Sequence, residues 1–393
     1  MKIILFLTLI LIGMGNNYRA QSFYFKSGFD SSVYINQYEL NGVSNTKYAD
    51  LYGTDNFTGY NWVTDLDDSN HPNIGNFRIY YETGDTIAAK ASIVDDPLNN
   101  TNKVLKFALN SPNVPNNGDP KGRIQAALNN NVALQEFSFR VKLYVHPDID
   151  TLKYYNQEFS WFTLMEFWNN SPFDDFPYRI TLNIQKPDTT TGSNLYFGAH
   201  GQTRNPIDSS WDDVWDEIDY SFIVPTGEWL TFETYFLEGN ALNGRYKVTV
   251  SDSLENTHTL FDITDFTHHP QDSMPDGVSS FNPMKIYTSG GLIQGMQSAN
   301  AELSVFWDDF ELWIDETTNT EPLGATKKML YPNPTNAYIN IENSNSIRIT
   351  DMRGKQVLER RNLSNNERID LSHLSADIYF VDLDGYYTTL IVK

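Results

Sequence analysis

Alternation of apolar and polar residues, recurring in runs from about Phe23 to Asp315, constrains this chain more than any other feature. The run Phe137-Ser138-Phe139-Arg140-Val141-Lys142-Leu143-Tyr144-Val145 alternates without a break. So does Tyr178-Arg179-Ile180-Thr181-Leu182-Asn183-Ile184-Gln185, and Leu195 to Gln202 and Phe232 to Phe236 follow the same rule. A period of two sends successive side chains to opposite faces of a strand, so one apolar face must be covered. Helical periodicity is sparse; Ser209 to Asp219 reads as a turn or short helix. Half-buried strands joined by polar turns predict an all-β chain, with a large jelly-roll β-sandwich as its main domain.

The non-core face carries chemistry. It groups Arg123 with Gln125, and Arg179, Thr181 and Asn183 with Gln185. It also shows Arg140, Lys142 and Tyr144, then Tyr196, His200 and Gln202, then Glu233 and Tyr235. Glu158, Ser160, Glu166 and Trp168 share a face of their own strand. A plain solvated sheet favours Lys, Glu and Thr. Tyr, Trp, Arg, Gln and His together suit a groove that stacks sugar rings and bonds their hydroxyls.

Charge narrows the partners. The chain has 393 residues and a net charge of −22, with no cysteine. Disulfides, thiolate metal sites and cysteine nucleophiles are therefore excluded. The charge is uneven: residues 21–327 hold 18 basic and 42 acidic side chains, leaving −24, while 328–393 hold eight of each. A domain this acidic is a poor ligand for nucleic acid or an anionic membrane surface. Lys2, the apolar run Ile3 to Ile12 and Ala20 describe a secretory signal over 1–20, and no later stretch is long and apolar enough to span a bilayer. The domain then runs 21–315. Glu316 to Lys327 begins as a polar linker, and a small β-sandwich occupies 328–393.

That last module opens Tyr331-Pro332-Asn333-Pro334 and continues Ile349-Thr350-Asp351-Met352-Arg353-Gly354-Lys355. With Ile369-Asp370-Leu371-Ser372 and the terminal Ile391-Val392-Lys393, it resembles the sorting domain of the type IX secretion system. The resemblance implies a Bacteroidota protein that is handled by the type IX machinery and ends secreted or on the cell surface.

In the main domain, Lys26-Ser27-Gly28-Phe29-Asp30 and the closing Leu303 to Trp313 resemble the first and last strands of concanavalin-like jelly rolls. Thr226-Gly227-Glu228-Trp229-Leu230-Thr231-Phe232-Glu233 and Gly244-Arg245-Tyr246-Lys247-Val248 look like the central strand pair of polysaccharide lyases and laminarinase-like hydrolases of that fold. The hydrolases carry Glu-x-Asp-x-x-Glu on one strand. Here only Glu217-Ile218-Asp219-Tyr220-Ser221-Phe222 approaches it, without the third acid.

An extracellular polysaccharide is thus the expected partner, and three roles are open. As a glycoside hydrolase the domain needs two carboxyls. Glu166, flanked by Met165 and Phe167, is the expected acid with a raised pKa, and Glu233 the nucleophile or base. As a lyase it would draw on His200, Tyr196 and Tyr235, with Arg179 and Gln202 neutralising a uronate. Asn183, Trp168 and Arg123 complete the binding set. The charge of −24 slightly favours hydrolysis, because it repels polyanions. As an adhesin the domain would only bind, stacking sugars on Trp168, Tyr196 and Tyr235; a purely structural surface protein is a further option. Calcium is expected at Asp308 and Asp309, as in related jelly rolls, with Asp65 to Asn70 a second oxygen-rich stretch.

Overall fold

The structure is a computed structural model describing residues 23–30, 32–39, 46–66, 76–83, 87–114, 119–170, 175–205, 210–314, 329–331, 335, 337–342, 344–351, 355–361, 363–364, 367–383 and 386–393. The signal and the linker lie outside these residues, as do Asp67 to Asn70 of the oxygen-rich stretch. The chain divides into two compact units at Asn319.

The first unit is a jelly-roll sandwich of two antiparallel sheets. One sheet runs in the order β15 (Thr257–Thr264), β14 (Arg245–Ser251), β13 (Trp229–Leu237), β8 (Glu136–Val145), β17 (Ser304–Ile314), β6 (Lys103–Leu109) and β5 (Ala89–Asp95). Its eighth strand, β1 (Phe23–Ser27), pairs with β17 beside this path, Phe23 facing Ile314. The second sheet runs β12 (Trp211–Ile223), β11 (Tyr196–Arg204), β10 (Tyr178–Gln185), β9 (Thr163–Asn169), β16 (Val278–Ser289), β7 (Lys121–Leu134), β4 (Asn76–Thr83), β3 (Thr46–Tyr52) and β2 (Tyr34–Glu39).

The alternation seen in the sequence is what joins the sheets. Phe137, Phe139 and Phe236 from the first sheet meet Phe167 and Phe281 from the second, with Phe139 and Phe281 centroids 4.8 Å apart. All five are essentially fully buried. Burial of each such side chain contributes roughly 1.5–3 kcal/mol. Trp62 is buried at the end of this core, stacked on Phe29 at 5.3 Å, and its indole N–H donates to the Gly28 carbonyl at 2.9 Å.

Ser209 to Asp219 differs from the expected turn or helix: Trp211 to Ile223 is a strand. Its pairing with β11 shifts register twice, at Tyr196/Gly198 and Gly201/Gln202. The first shift leaves three extra residues on β12 and the second leaves one, and both break the period of two, which is why the stretch does not look like a strand. The one α-helix among the described residues, α1 (Gly290–Ser298), is capped by the Ser289 hydroxyl accepting from the Leu292 N–H, and it buries Leu292, Ile293 and Met296.

The second unit pairs β18 (Met329–Tyr331), β19 (Tyr338–Glu342) and β22 (Glu367–Asp370) in one sheet. Its other sheet has the order β21 (Gln356–Arg361), β20 (Ser346–Thr350), β23 (Asp377–Leu383), β24 (Tyr386–Val392). Ile339 and Ile341 from one sheet and Ile347, Ile349 and Val381 from the other form its buried core. It is the small β-sandwich its alternation predicts.

Candidate functional site

Outward side chains of the second sheet build the site. A cavity of about 240 Å³ is lined by Arg179, Thr181 and Asn183 of β10 and by His200 and Gln202 of β11. Lys121, Trp161, Trp211 and Tyr287 complete its wall. Strand pairing sets this order: Thr181 stands between Glu166 and His200, and Arg179 between Trp168 and Gln202.

Glu166 sits at the centre of this face, 2% exposed. It forms an ion pair with Lys285, which is fully buried, and Arg179 Nη1 lies 3.3 Å from its other oxygen. Burial alone would raise the Glu166 pKa, but Lys285 and Arg179 overrule it and hold the carboxyl down to about 2. The expected acid is therefore an ionised carboxylate at neutral pH. Its chain neighbours Met165 and Phe167 do not set its state, because a strand turns them toward the core. The residues across the strands, Arg179 and Lys285, decide its state. Burial draws Lys285 down to about 8 against the pull of Glu166.

Arg179 is held from several directions. Its Nε donates to Gln202 Oε1 at 2.9 Å, and its guanidinium lies 3.9 Å from the Trp211 ring centroid and 5.9 Å from that of Trp168. Arg123 lies 5.4 Å from the Tyr287 centroid and 5.5 Å from that of Tyr80. Asn183 accepts from Thr163 Oγ1 at 2.8 Å and donates to Thr181 Oγ1 at 2.9 Å. Tyr196 leans edge-on against Tyr220, 5.2 Å away, outside the cavity lining.

His200 lines the cavity, but both ring nitrogens point at protein groups. Nε2 lies 2.7 Å from Gln185 Nε2, while Nδ1 lies 3.4 Å from Oδ1 of Asp213 and of Asp216.

Glu233 and Tyr235 belong elsewhere. They stand on β13 of the first sheet, where half-exposed Glu233 accepts from Arg140 Nη2 at 2.8 Å and Tyr235 donates to Glu136 at 2.9 Å. Glu166 and Glu233 therefore do not form a carboxylate pair. Alternation assigns each to an outer face; it does not say of which sheet. Conversely, Lys285 and Tyr287 of the site were missed, although Met284-Lys285-Ile286-Tyr287 alternates. Trp211 was hidden in the stretch whose bulges break the pattern.

The expected calcium ligands separate. Asp309 Oδ2 accepts from Lys142 Nζ at 2.6 Å, whereas Asp308 is 5% exposed with Oδ1 buried and without a hydrogen bond. Burial, reinforced by Asp309, pushes the Asp308 carboxyl up to about 7. Around Gly28 the carboxylates converge: a Cβ there would stand 3.1 Å from Asp55 Oδ2 and 3.2 Å from Asp308 Oδ1. Asp30, also buried, has a raised pKa from burial and from Asp55 and Asp309. The donors gathered here are oxygen only, the kind that calcium takes.

Residues 329–393 match the secretion system C-terminal sorting domain. The protein is therefore a type IX secretion cargo, extracellular or at the cell surface. No helix among the described residues is long and apolar enough to cross a membrane. No curated protein matches the chain. Among solved structures, an endo-β-1,4-glucuronan lyase from the fungus Trichoderma reesei is similar at 13% identity, over 58% of this chain and 88% of its own, with a TM-score of 0.37. A PL-14 alginate lyase from Aplysia kurodai is similar at 8% identity over 60% and 89%, with a TM-score of 0.39. The exoplasmic/lumenal domain of VIP36, in its Ca²⁺/Man2-bound form, is similar at 13% identity over 57% and 79%, with a TM-score of 0.32.

Proposed function

We propose that the first unit is a polysaccharide lyase that binds a uronate-bearing chain on the outer face of its second sheet and breaks it by β-elimination. The observation that carries this reading is the convergence of Arg179 and Lys285 on the single carboxylate of Glu166, beneath a cavity walled by Trp161, Trp211 and Tyr287. An acidic domain that collects cations at one aromatic-walled cavity is built for an anionic sugar there.

Arg179 and Lys121, both in the cavity wall, would take the uronate carboxylate and so acidify the neighbouring C5–H. Tyr287 is the proton-transfer group, with Lys285 Nζ 5.1 Å from its ring centroid. Its phenolate removes the C5 proton; that electron pair forms the C4=C5 double bond; the C4–O bond breaks; and the leaving oxygen takes the proton back from the phenol. Glu166 acts by positioning Arg179 and Lys285. Elimination is favoured over hydrolysis because Glu166 is ionised and Glu233 stands on the other sheet.

Incubation with polyglucuronate, polymannuronate and polygalacturonate tests the reading. Ultraviolet-absorbing unsaturated ends are expected, with kcat lowered about 10²–10⁴-fold in Tyr287→Phe. Saturated reducing ends would restore hydrolysis, and retention without cleavage would restore the adhesin. The division into signal (1–20), catalytic domain (21–315), linker (316–327) and sorting domain (328–393), and a structural calcium at Asp308, belong to the same proposal.

A further inference from the structure

We propose that His200, Asp213 and Asp216 form a binding site for a transition-metal dication of the zinc class, at the edge of the second sheet. The site adjoins the cavity, which His200 also lines, but carries no step of the elimination. Its three donor atoms lie within 4.8 Å of one another.

Three separate observations build it. The first is an orphan: His200 is 7% exposed, and its Nδ1 is buried and makes no hydrogen bond. Yet Oδ1 of Asp213 and Oδ1 of Asp216 each stand 3.4 Å from it. A tetrahedral ion with bonds of about 2.0–2.2 Å separates its ligands by roughly 3.3–3.6 Å. These two separations are those of ligands around an ion, and too long for a good N–H···O bond.

The second is the bulge. Asp216 faces His200 across the β11–β12 ladder, and Asp213 faces Gln202. Residues three apart on a regular strand point to opposite faces. The register shift between Gly201 and Gln202 absorbs one residue and returns Asp213 to the face of Asp216.

The third is the support behind the ligands. Gln202 Nε2 donates to Asp213 Oδ1 at 2.8 Å. Gln185 holds His200 Nε2 from behind. With its amide turned so that Oε1 accepts from Nε2–H, Gln185 leaves the Nδ1 lone pair for the metal. Gln185 has this position only because residue 198 is glycine, where a Cβ would come 2.1 Å from its Nε2. One imidazole and two carboxylates select a borderline ion such as zinc over calcium, which takes oxygen donors.

The full-length protein, stripped with a chelator, is dialysed against ZnCl₂ and titrated separately with CoCl₂, whose visible spectrum reports nitrogen ligation. One zinc per chain is expected, displaced by cobalt but not by calcium. Asp213→Asn/Asp216→Asn alters only half-exposed side chains and should lower zinc affinity at least ~10-fold, with the thermal melt of the metal-free protein unchanged. Asp308→Asn should leave the zinc stoichiometry intact. Absence of stoichiometric zinc, zinc affinity unchanged in the double variant, or displacement by calcium would each overturn the assignment. Elimination measured on the same metal-free sample reports on the lyase reading separately.

Discussion

Glu166 and Glu233 show how far a residue's role depends on its neighbours across the sheet. Glu166 is buried between two cations, and Glu233 is a half-exposed partner of Arg140. Lys285→Met leaves the Glu166 carboxylate buried with Arg179 alone, and a loss of about 3–5 kcal/mol is expected in urea unfolding. Arg140→Met should cost no more than about 1 kcal/mol in the same assay. The low Glu166 pKa has a pH signature. Its stabilising contribution is fully present above the unfolded value near 4.5 and is lost as pH falls through about 2. Glu166→Gln should therefore flatten the acid limb of stability against pH, as followed by circular dichroism melts between pH 2 and 6. At this scale much of the site was legible. Arg123, Glu166, Trp168, Arg179, Asn183, His200 and Gln202 do share one outer face. What was not legible was the assignment of Glu233 and Tyr235 to the other sheet, since parity is the same on both.

At the scale of elements, regular strands were readable and irregular ones were not. β8 and β10 announce themselves by unbroken alternation. β12 was hidden by its two bulges, and with it went Trp211, Asp213 and Asp216. Gly201 carries the compensating signal: opposite Trp215, a Cβ at this position would fall 2.2 Å from Trp215 Cε2 and 2.3 Å from Tyr178 Oη. Gly201→Ala must displace two buried rings, so an overpacking loss of about 1–3 kcal/mol is expected by calorimetry. Hydrogen exchange should show the loss centred on β11 and β12.

At the scale of the whole molecule, charge and export dominate. The acidic main domain repels a polyanion over distance while Arg179 attracts it at contact. Raising ionic strength from about 0.01 to 0.15 M shortens the screening length from roughly 30 to 8 Å. The KM for a polyuronate should then fall severalfold, the reverse of a basic enzyme's behaviour, as steady-state assays across a salt series would show. Removing residues 329–393 should leave activity in the purified protein intact but abolish its appearance outside the cell, read by fractionation and immunoblotting. The pairing of β1 with β17 adds a matter of timing. Phe23 cannot meet Ile314 until nearly the whole domain has left the ribosome. The ladder from β1 through β17 to β8 thus stays open until β17 has been made, and so non-local a closure is intrinsically slow. The last strand of the first unit is the one that sets it, and the sorting domain follows behind. Until Ile314 has been made, β1 has no partner in this ladder.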